Sequence, residues 1–361
     1  MDPPVWYRDD LEMPEEDEKE TELKLTDTLR KILQTTAEDG GHAIRSVHAK
    51  GHAWIRADFE VLSDLPPELA QGLFASPGRH DALIRISTIP GDILGDSISV
   101  PRGFALKVLD VRGPRLDGLE AETTQDFIFV NGPAFGAATA KDFLGNLKLL
   151  AKTTNRAEWA KKALSAVLRT AESALEAVGG ESGTLKALGG APNVHPLGQT
   201  YHSQTAFRYG AYVAKFAVIP VSASLTGLTE EKIDASGEPD AIRAAMNRDV
   251  GKAPMEWEFC VQLLRDEATM PVEDATVVWD EDMSPLIPVA RIRAAPQAAW
   301  TEERAALDDS LRFSVWTGLA AHRPLGVMNR VRRDTYKMSS EFRARFNGCP
   351  VHEPATADLP T

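Results

Sequence analysis

Cysteine is almost absent from this chain of 361 residues: there are two, Cys260 and Cys349. Two thiols this far apart do not make a disulfide framework, and no C-x-x-C pair is present to hold zinc or exchange electrons. A reducing, cytoplasmic setting is therefore expected. No run approaches the roughly 18 consecutive apolar residues that span a membrane. The N-terminus, MDPPVWYRDDLEMPEEDEKE, has neither the basic start nor the apolar centre of a secretory signal. Positive charge is also short, with 40 Lys and Arg against 53 Asp and Glu and a net charge of −13. That balance argues against nucleic acid or an anionic membrane as the partner. An H-E-x-x-H zinc motif, internal repeats and low-complexity tracts are missing as well.

What remains is an ordinary globular composition, 43% hydrophobic, with ample length for a sizeable core. Residues 1–20 concentrate acid (Glu15, Glu16, Asp17, Glu18, Glu20) and read as a solvated, mobile arm. Residues 21–38 carry Leu23, Leu29, Ile32 and Leu33 at helical spacing. From 44 to 112 the pattern is strand-like: ALIRIST alternates Leu83, Arg85 and Ser87 against Ile84 and Ile86, and GFALKVLDV behaves the same way. DFIFVNGPAF is a strand stopped by Gly132-Pro133. Residues 139–188 read as a helical insertion, closed by the Gly189-Gly190 loop. FRYGAYVAKFAVIPV, PMEWEFCVQLLRD and PLIPVARIRAAP are further strands. From 302 onward the pattern is helical, most clearly in MNRVRRDTYKMSSEFRARF, and 349–361 is a frayed tail. Strands come in blocks instead of alternating with helices. This predicts an antiparallel α+β design with one main domain over 21–348.

Three places carry chemistry. In the C-terminal helix Arg332, Tyr336 and Arg343 fall on one face. A cation beside a phenol favours the phenolate, which is a metal ligand; a surface Arg–Tyr stack is the plainer reading of the same spacing. His48 opens a strand beside the small Ala-Lys-Gly turn, where an imidazole can act as acid and base near neutral pH; a satisfied structural histidine is the alternative. His52 four residues on suggests a metal pair, as in a hydrolase, but has no carboxylate at ligand spacing to support it. Arg85 and Ser87 put a cation and a hydroxyl on one strand face, which fits a half-exposed strand as well as a functional wall.

Taken in order, these segments resemble the haem catalases. RSVHAKGHAWIRADFEV is similar to their R-x-V-H-A-K-G-x-x-A-x-x-x-F-E-V, LIRISTIPGD to V-R-F-S-T-V-x-G-E, and VPRGFALKV to D-P-R-G-F-A-V-K-F. DFIFVNGPAF is similar to D-L-x-x-N-N-T-P-x-F, PLIPVARI to P-L-I-P-V-G-K-L, and Arg332, Tyr336 and Arg343 keep the R-x-x-x-Y-x-x-x-x-x-x-R spacing. The matches span about residues 42–348. The resemblance implies an antiparallel β-barrel with surrounding helices, lacking the C-terminal domains of full catalases, and a haem b (iron) cofactor. It makes Tyr336 the proximal tyrosinate on the metal, the catalase choice among haem ligands. His48 becomes the distal acid–base group, with Ser87 bonded to it. Arg45 and Arg85 become partners of the haem propionates, Arg332 and Arg343 bind the cofactor beside Tyr336, Phe143 packs on the porphyrin face, and Val47 and Phe135 are further cofactor-binding residues.

The departures are specific. A gapless alignment puts Val130 where the family has its distal asparagine, so that role passes to Asn131 one place later. YHSQT carries Gln204 where the family has a histidine. The stretch HRPLGVMNR resembles the H-R-P-L-G-x-x-N-R form of small, truncated catalase-related proteins. The implied function is a haem peroxidase or catalase-like oxidoreductase acting on hydrogen peroxide or an organic hydroperoxide, with a small organic reductant. Rearrangement of fatty-acid hydroperoxides on the same fold, or haem binding without catalysis, are the alternatives. No motif points to NADPH, and a homodimer is the assembly to test.

Overall fold

The structure, a computed structural model, describes residues 1–153 and 193–360. Nine antiparallel strands form one sheet: β1 Gly51–Val61, β2 Gly78–Thr88, β3 Arg102–Val108, β4 Gln125–Val130, β5 Tyr201–His202, β6 Phe207–Tyr209, β7 Tyr212–Pro220, β8 Met255–Leu263 and β9 Ile287–Ala294. Their order is β5-β4-β3-β2-β1-β9-β8-β7-β6, and β5 also pairs with β7. Eight strands thus close into a barrel, with β6 folded back on β7. Closure leaves no edge within the ring to be protected.

The alternation read in the sequence sets the two faces of the wall. Ile84 and Ile86 of β2, Phe104 and Leu106 of β3, and Phe127 and Phe129 of β4 all enter the barrel core, where they join Phe216, Trp257, Phe259 and Ile292. Their neighbours in register (Arg85↔Ala105, Ser87↔Gly103, Ala105↔Ile128, Gly103↔Val130) face outward. FRYGAYVAKFAVIPV is two strands instead of one. Gly210 takes φ +62°, and a Cβ there would sit 2.1 Å from Gln71 Oε1, so the chain turns at this point and Tyr209 pairs with Tyr212.

Four longer helices lie outside the barrel: α1 Glu18–Gly40, α2 Ala140–Thr153, α3 Ala241–Val250 and α4 Val327–Asn347. Helices α1, α2 and α4 share an apolar cluster that includes Leu25, Leu29, Leu33, Leu144, Val331 and Met338. The expected insertion beyond Thr153 and the Gly189-Gly190 loop lie outside the described residues. The stretch after 302 is less helical than its pattern suggests: it forms single turns at Glu302–Ala305 and Leu307–Ser310 and a 3-10 turn at Ala320–His322 before α4 begins.

Both ends of the chain are docked, which corrects the expectation of a solvated arm and a frayed tail. Val5 N and Tyr7 N donate to Leu264 O and Ala211 O, each at 2.8 Å, and Trp6 packs on Tyr212. Glu12 and Glu18 of the acidic stretch fold back onto Arg330. In the tail, Glu353 reaches the buried Lys107 at 2.6 Å and Arg312 at 3.0 Å, and Arg304 donates to Pro360 O at 2.8 Å. Glu12, Glu18 and Glu353 are therefore counterions for the part-buried Arg330 and the buried Lys107, pairings invisible in a charge count.

Candidate functional site

The outer face of β2–β4 is where polar groups gather. It forms one wall of a cavity of about 590 Å³, counting its open mouth. Arg85, Ser87, Gly103, Ala105 and Ile128 come from the strands, and Arg45, Val47 and His48 from the segment leading into β1. The opposite side is α4, which presents Tyr336, Ser339, Ser340 and Arg343. These positions are i, i+3, i+4 and i+7, one face of a helix. Arg312 and Phe313 close the remaining side.

His48 adopts φ +56°, a left-handed conformation uncommon for a residue with a side chain. Two backbone bonds hold it there, His48 N to Ile89 O at 2.6 Å and Ala49 N to Pro90 O at 3.0 Å. The ring lies directly on Gly103: a Cβ at that position would come within 2.5 Å of His48 Nδ1 and Cε1. Only glycine permits this contact. On the same side His48 Nδ1 meets Ser87 Oγ at 3.1 Å. Burial, reinforced by Arg85, Arg332 and Arg45, pushes the imidazole pKa down to about 3. His48 is therefore neutral at physiological pH and available as a proton acceptor.

At one end of the cavity three guanidiniums converge on one residue. Arg85 forks onto Asp308 through Nε (2.7 Å) and Nη2 (3.1 Å), Arg45 Nη1 lies 3.1 Å from Asp308 Oδ1, and Arg343 Nη1 donates to the Asp308 carbonyl at 2.5 Å. Arg85 and Arg343 are buried. Burial weighs against the Asp308 carboxylate, but Arg85 and Arg45 outweigh it and hold its pKa below the usual range. Arg343 Nε is buried and makes no hydrogen bond among the described residues. Three cations against the part-buried Asp308 carboxylate leave positive charge in excess, a setting that calls for an anionic ligand.

His48, Ser87, Arg45, Val47, Arg85, Tyr336 and Arg343 are thus brought together around one cavity. Others are not. Phe135 and Phe143 stack edge-on at 5.2 Å and pack beside Val47 and Phe342 in the helical layer, next to the cavity wall instead of in it. Arg332 lies 5.3 Å over the Phe135 ring and donates to Asn329 at 3.4 Å. Asn131 requires a correction: its Oδ1 accepts from Arg102 N at 2.6 Å and its Nδ2 donates to Gln199 at 3.0 Å. Both ends of the amide anchor the turn after β4. It is Val130, opposite Gly103 in the ladder, that shares the outward face of Ile128. His52 sits at a bulge of β1 with both ring nitrogens buried and unbonded. Among the described residues no group of three or more His, Cys, Asp or Glu is placed to hold a metal ion. Gln204 donates to the Gly132 and Ala134 carbonyls and bridges two loops.

Some contributors were missed in the sequence. Asp308 lies in the featureless EERAALDDS stretch, where only its approach to three distant arginines marks it. Gly103 was within a recognised motif, but its purpose appears only when His48 is seen against it. The H-R-P-L-G-x-x-N-R segment proves to be a clamp. Asn329 Nδ2 donates to Ala206 O and Leu325 O, and Leu325 N to Ala206 O, fixing the start of α4 against the barrel.

An eight-stranded closed antiparallel barrel with a helical layer, and a cavity between the two, define the architectural class. Comparison with solved structures makes it specific. A fungal catalase superposes with a TM-score of 0.60 at 17% identity, catalase A from Saccharomyces cerevisiae with 0.62 at 18%, and a bacterial catalase with 0.58 at 19%. The matches cover 91%, 91% and 90% of this chain. They cover 67%, 67% and 63% of the respective catalases. The chain has the catalase fold. No protein-family model and no curated protein sequence matches it. No helix among the described residues is long and apolar enough to cross a membrane.

Proposed function

We propose that this chain is a haem-dependent oxidoreductase that reduces hydrogen peroxide or organic hydroperoxides. The observation that carries the reading is the single cavity shared by His48, Tyr336 and the Arg45–Arg85–Arg343 cluster. The residues fit the group. The excess of buried guanidinium charge and the unbonded Arg343 Nε suit a ligand with carboxylate arms. The face of Val47, Ala105, Ile128 and Phe313 suits a flat apolar body. Tyr336 is the residue that would ligate the metal. When bound, the haem would supply the redox centre that accepts and returns electrons during peroxide cleavage.

The work of the chain itself is proton handling. In the tautomer whose Nδ1–H donates to Ser87 Oγ, His48 Nε2 accepts the proton of the incoming hydroperoxide and returns it to the leaving oxygen. Gly103 and Ser87 fix the ring for that transfer. Asn131 is tied to Arg102 and Gln199, so no amide from this position steadies the second oxygen. This favours a peroxidase that uses a small organic reductant over an efficient catalase.

The test is the absorption spectrum of the haem-loaded protein, wild type beside Tyr336→Phe and His48→Gln, before and after peroxide. A ferric high-spin spectrum altered by Tyr336→Phe supports the reading. So does a peroxide response slowed about 10²–10⁴-fold by His48→Gln. No haem uptake, or spectra indifferent to both changes, would overturn it.

A further inference from the structure

The arginines that line the cavity already hold a carboxylate, and it belongs to the chain. Asp308 takes the Nε/Nη2 edge of Arg85, the fork that matches a carboxylate in two parallel hydrogen bonds, and one Nη of Arg45. Arg343 is occupied by the Asp308 and Asp309 carbonyls, at 2.5 and 3.4 Å. All three cations of the anion-binding end are thus engaged by one acidic turn, Leu307–Ser310.

The reason for such an arrangement is electrostatic. Guanidiniums stay charged even when buried, and an uncompensated buried charge is strongly destabilising. Before any ligand arrives, something must neutralise Arg45 and Arg85, and Asp308 does so. Once a dicarboxylate enters, Asp308 becomes a rival for the same donors, and three acidic groups would face three cations of which one fork is already closed.

The Asp308 carboxylate is placed to give way. Its side chain is 20% exposed, against 3% for Arg85, so solvent can receive it. The turn that carries it has no side-chain cap. The chain on either side is anchored independently. Arg304 donates to the carbonyls of Trp54, Ala298 and Pro360, and Leu311 is buried with Trp54 and Leu83. A change of side-chain rotamer at Asp308 therefore releases Arg85 without unfolding its surroundings.

We propose that Asp308 is a built-in competitor for the carboxylate arms of the cavity's ligand, a placeholder that neutralises Arg45 and Arg85 in the empty protein and must be displaced from the Arg85 fork on loading. This rests on the reading of the cavity as a haem site. It makes Asp308 a determinant of how tightly, and through which arms, the chain takes its cofactor.

The experiment measures equilibrium binding of metal-free protoporphyrin and of its dimethyl ester to the full chain, wild type and Asp308→Asn, by absorbance and fluorescence quenching. Removing the rival charge should tighten binding of the diacid about 10-fold or more, the scale of a charge-assisted hydrogen bond, and leave the ester within about 3-fold. The structure of the haem-loaded wild type provides a second readout that needs no variant: Asp308 should have left the Arg85 fork to a ligand carboxylate. Diacid binding unchanged or weakened in a folded Asp308→Asn, or an intact Arg85–Asp308 fork in the loaded protein, would overturn the competitor role while leaving the haem site standing. Failure of both porphyrins to bind either protein would overturn the haem reading and this proposal together.

Discussion

At the scale of single residues, the geometry around His48 turns on one missing side chain. Gly103→Ala would put a methyl 2.5 Å from the imidazole, against a ring held by Ser87 and by a left-handed backbone that cannot slide. We expect this variant to fold with a loss of about 1–3 kcal/mol, the usual scale of overpacking. Its peroxide response should be slowed at least as much as by removing Ser87, which stopped-flow absorbance would measure. His322 makes a different prediction. Its ring is 1% exposed, accepts from Leu73 N at 2.9 Å, and is ringed by Phe74, Phe127, Tyr209 and Phe216. Burial pushes its pKa down to about 3, whereas the unfolded residue titrates near 6.5. Between those values the unfolded chain binds the additional proton, so stability rises with pH through the window and is lost as pH falls below about 6.5. His322 alone should account for about 2 kcal/mol between pH 7 and pH 5. Urea titrations at the two pH values, wild type against His322→Gln, would show this as a smaller pH-dependence in the variant.

At the scale of elements, the site depends on where α4 begins. Arg330 sits in its first turn and donates to Glu12, Glu18 and Glu273 at 2.7–2.9 Å. Glu12 and Glu273 in turn accept from Gly326 N and Val327 N, two of the backbone donors that a helix start leaves free. Gly326 itself requires φ +81°, and a Cβ there would lie 2.5 Å from Val272 O. One cation thus joins the N-terminal arm, α1 and the loop before β9 at the base of the helix that carries Tyr336. Arg330→Met leaves Glu18 and Glu273 without their counterion and Glu12 with Arg323 alone, and should cost about 2–4 kcal/mol, discounted from a fully buried pair because the guanidinium is 17% exposed. Thermal melts give the stability. The haem spectrum should broaden as well, because Tyr336, Ser339, Ser340 and Arg343 all move with the helix.

At the scale of the whole molecule, the two ends of the chain reinforce the outer shell of the barrel. The tail delivers Glu353 to Lys107, which is fully buried against Asp126 at 2.7 Å, and to Arg312 of the cavity wall. Removing residues 349–361 would expose Lys107 and loosen Arg312. The expected result is a melting temperature several degrees lower, read by circular dichroism, on the scale of about 1–3 kcal/mol for a lost buried partner. Glu353→Gln should reproduce most of the loss, since the charge and not the length of the tail is what Lys107 requires.

The amino-acid order by itself determined which residues share a strand or helix face, while the barrel was implied only by the resemblance to the haem catalases. Period-two alternation in ALIRIST separates Ile84 and Ile86 from Arg85 and Ser87, because side chains alternate across a strand whatever surrounds it. Helical spacing likewise puts Tyr336 and Arg343 on one face. The order could not decide what each polar group would meet. Asn131 stands one place past Val130, and a one-residue difference reverses the face of a strand; only the ladder Gly103↔Val130 shows that the amide turns to Arg102 and Gln199. The acidic arm and the tail looked solvated because their partners, Arg330 and Lys107, are hundreds of residues away. Asp308 meets Arg45, Arg85 and Arg343 only when a barrel wall, a single helical turn and the last helix close on one another, since buried charge is paired by proximity in space and not by distance along the chain.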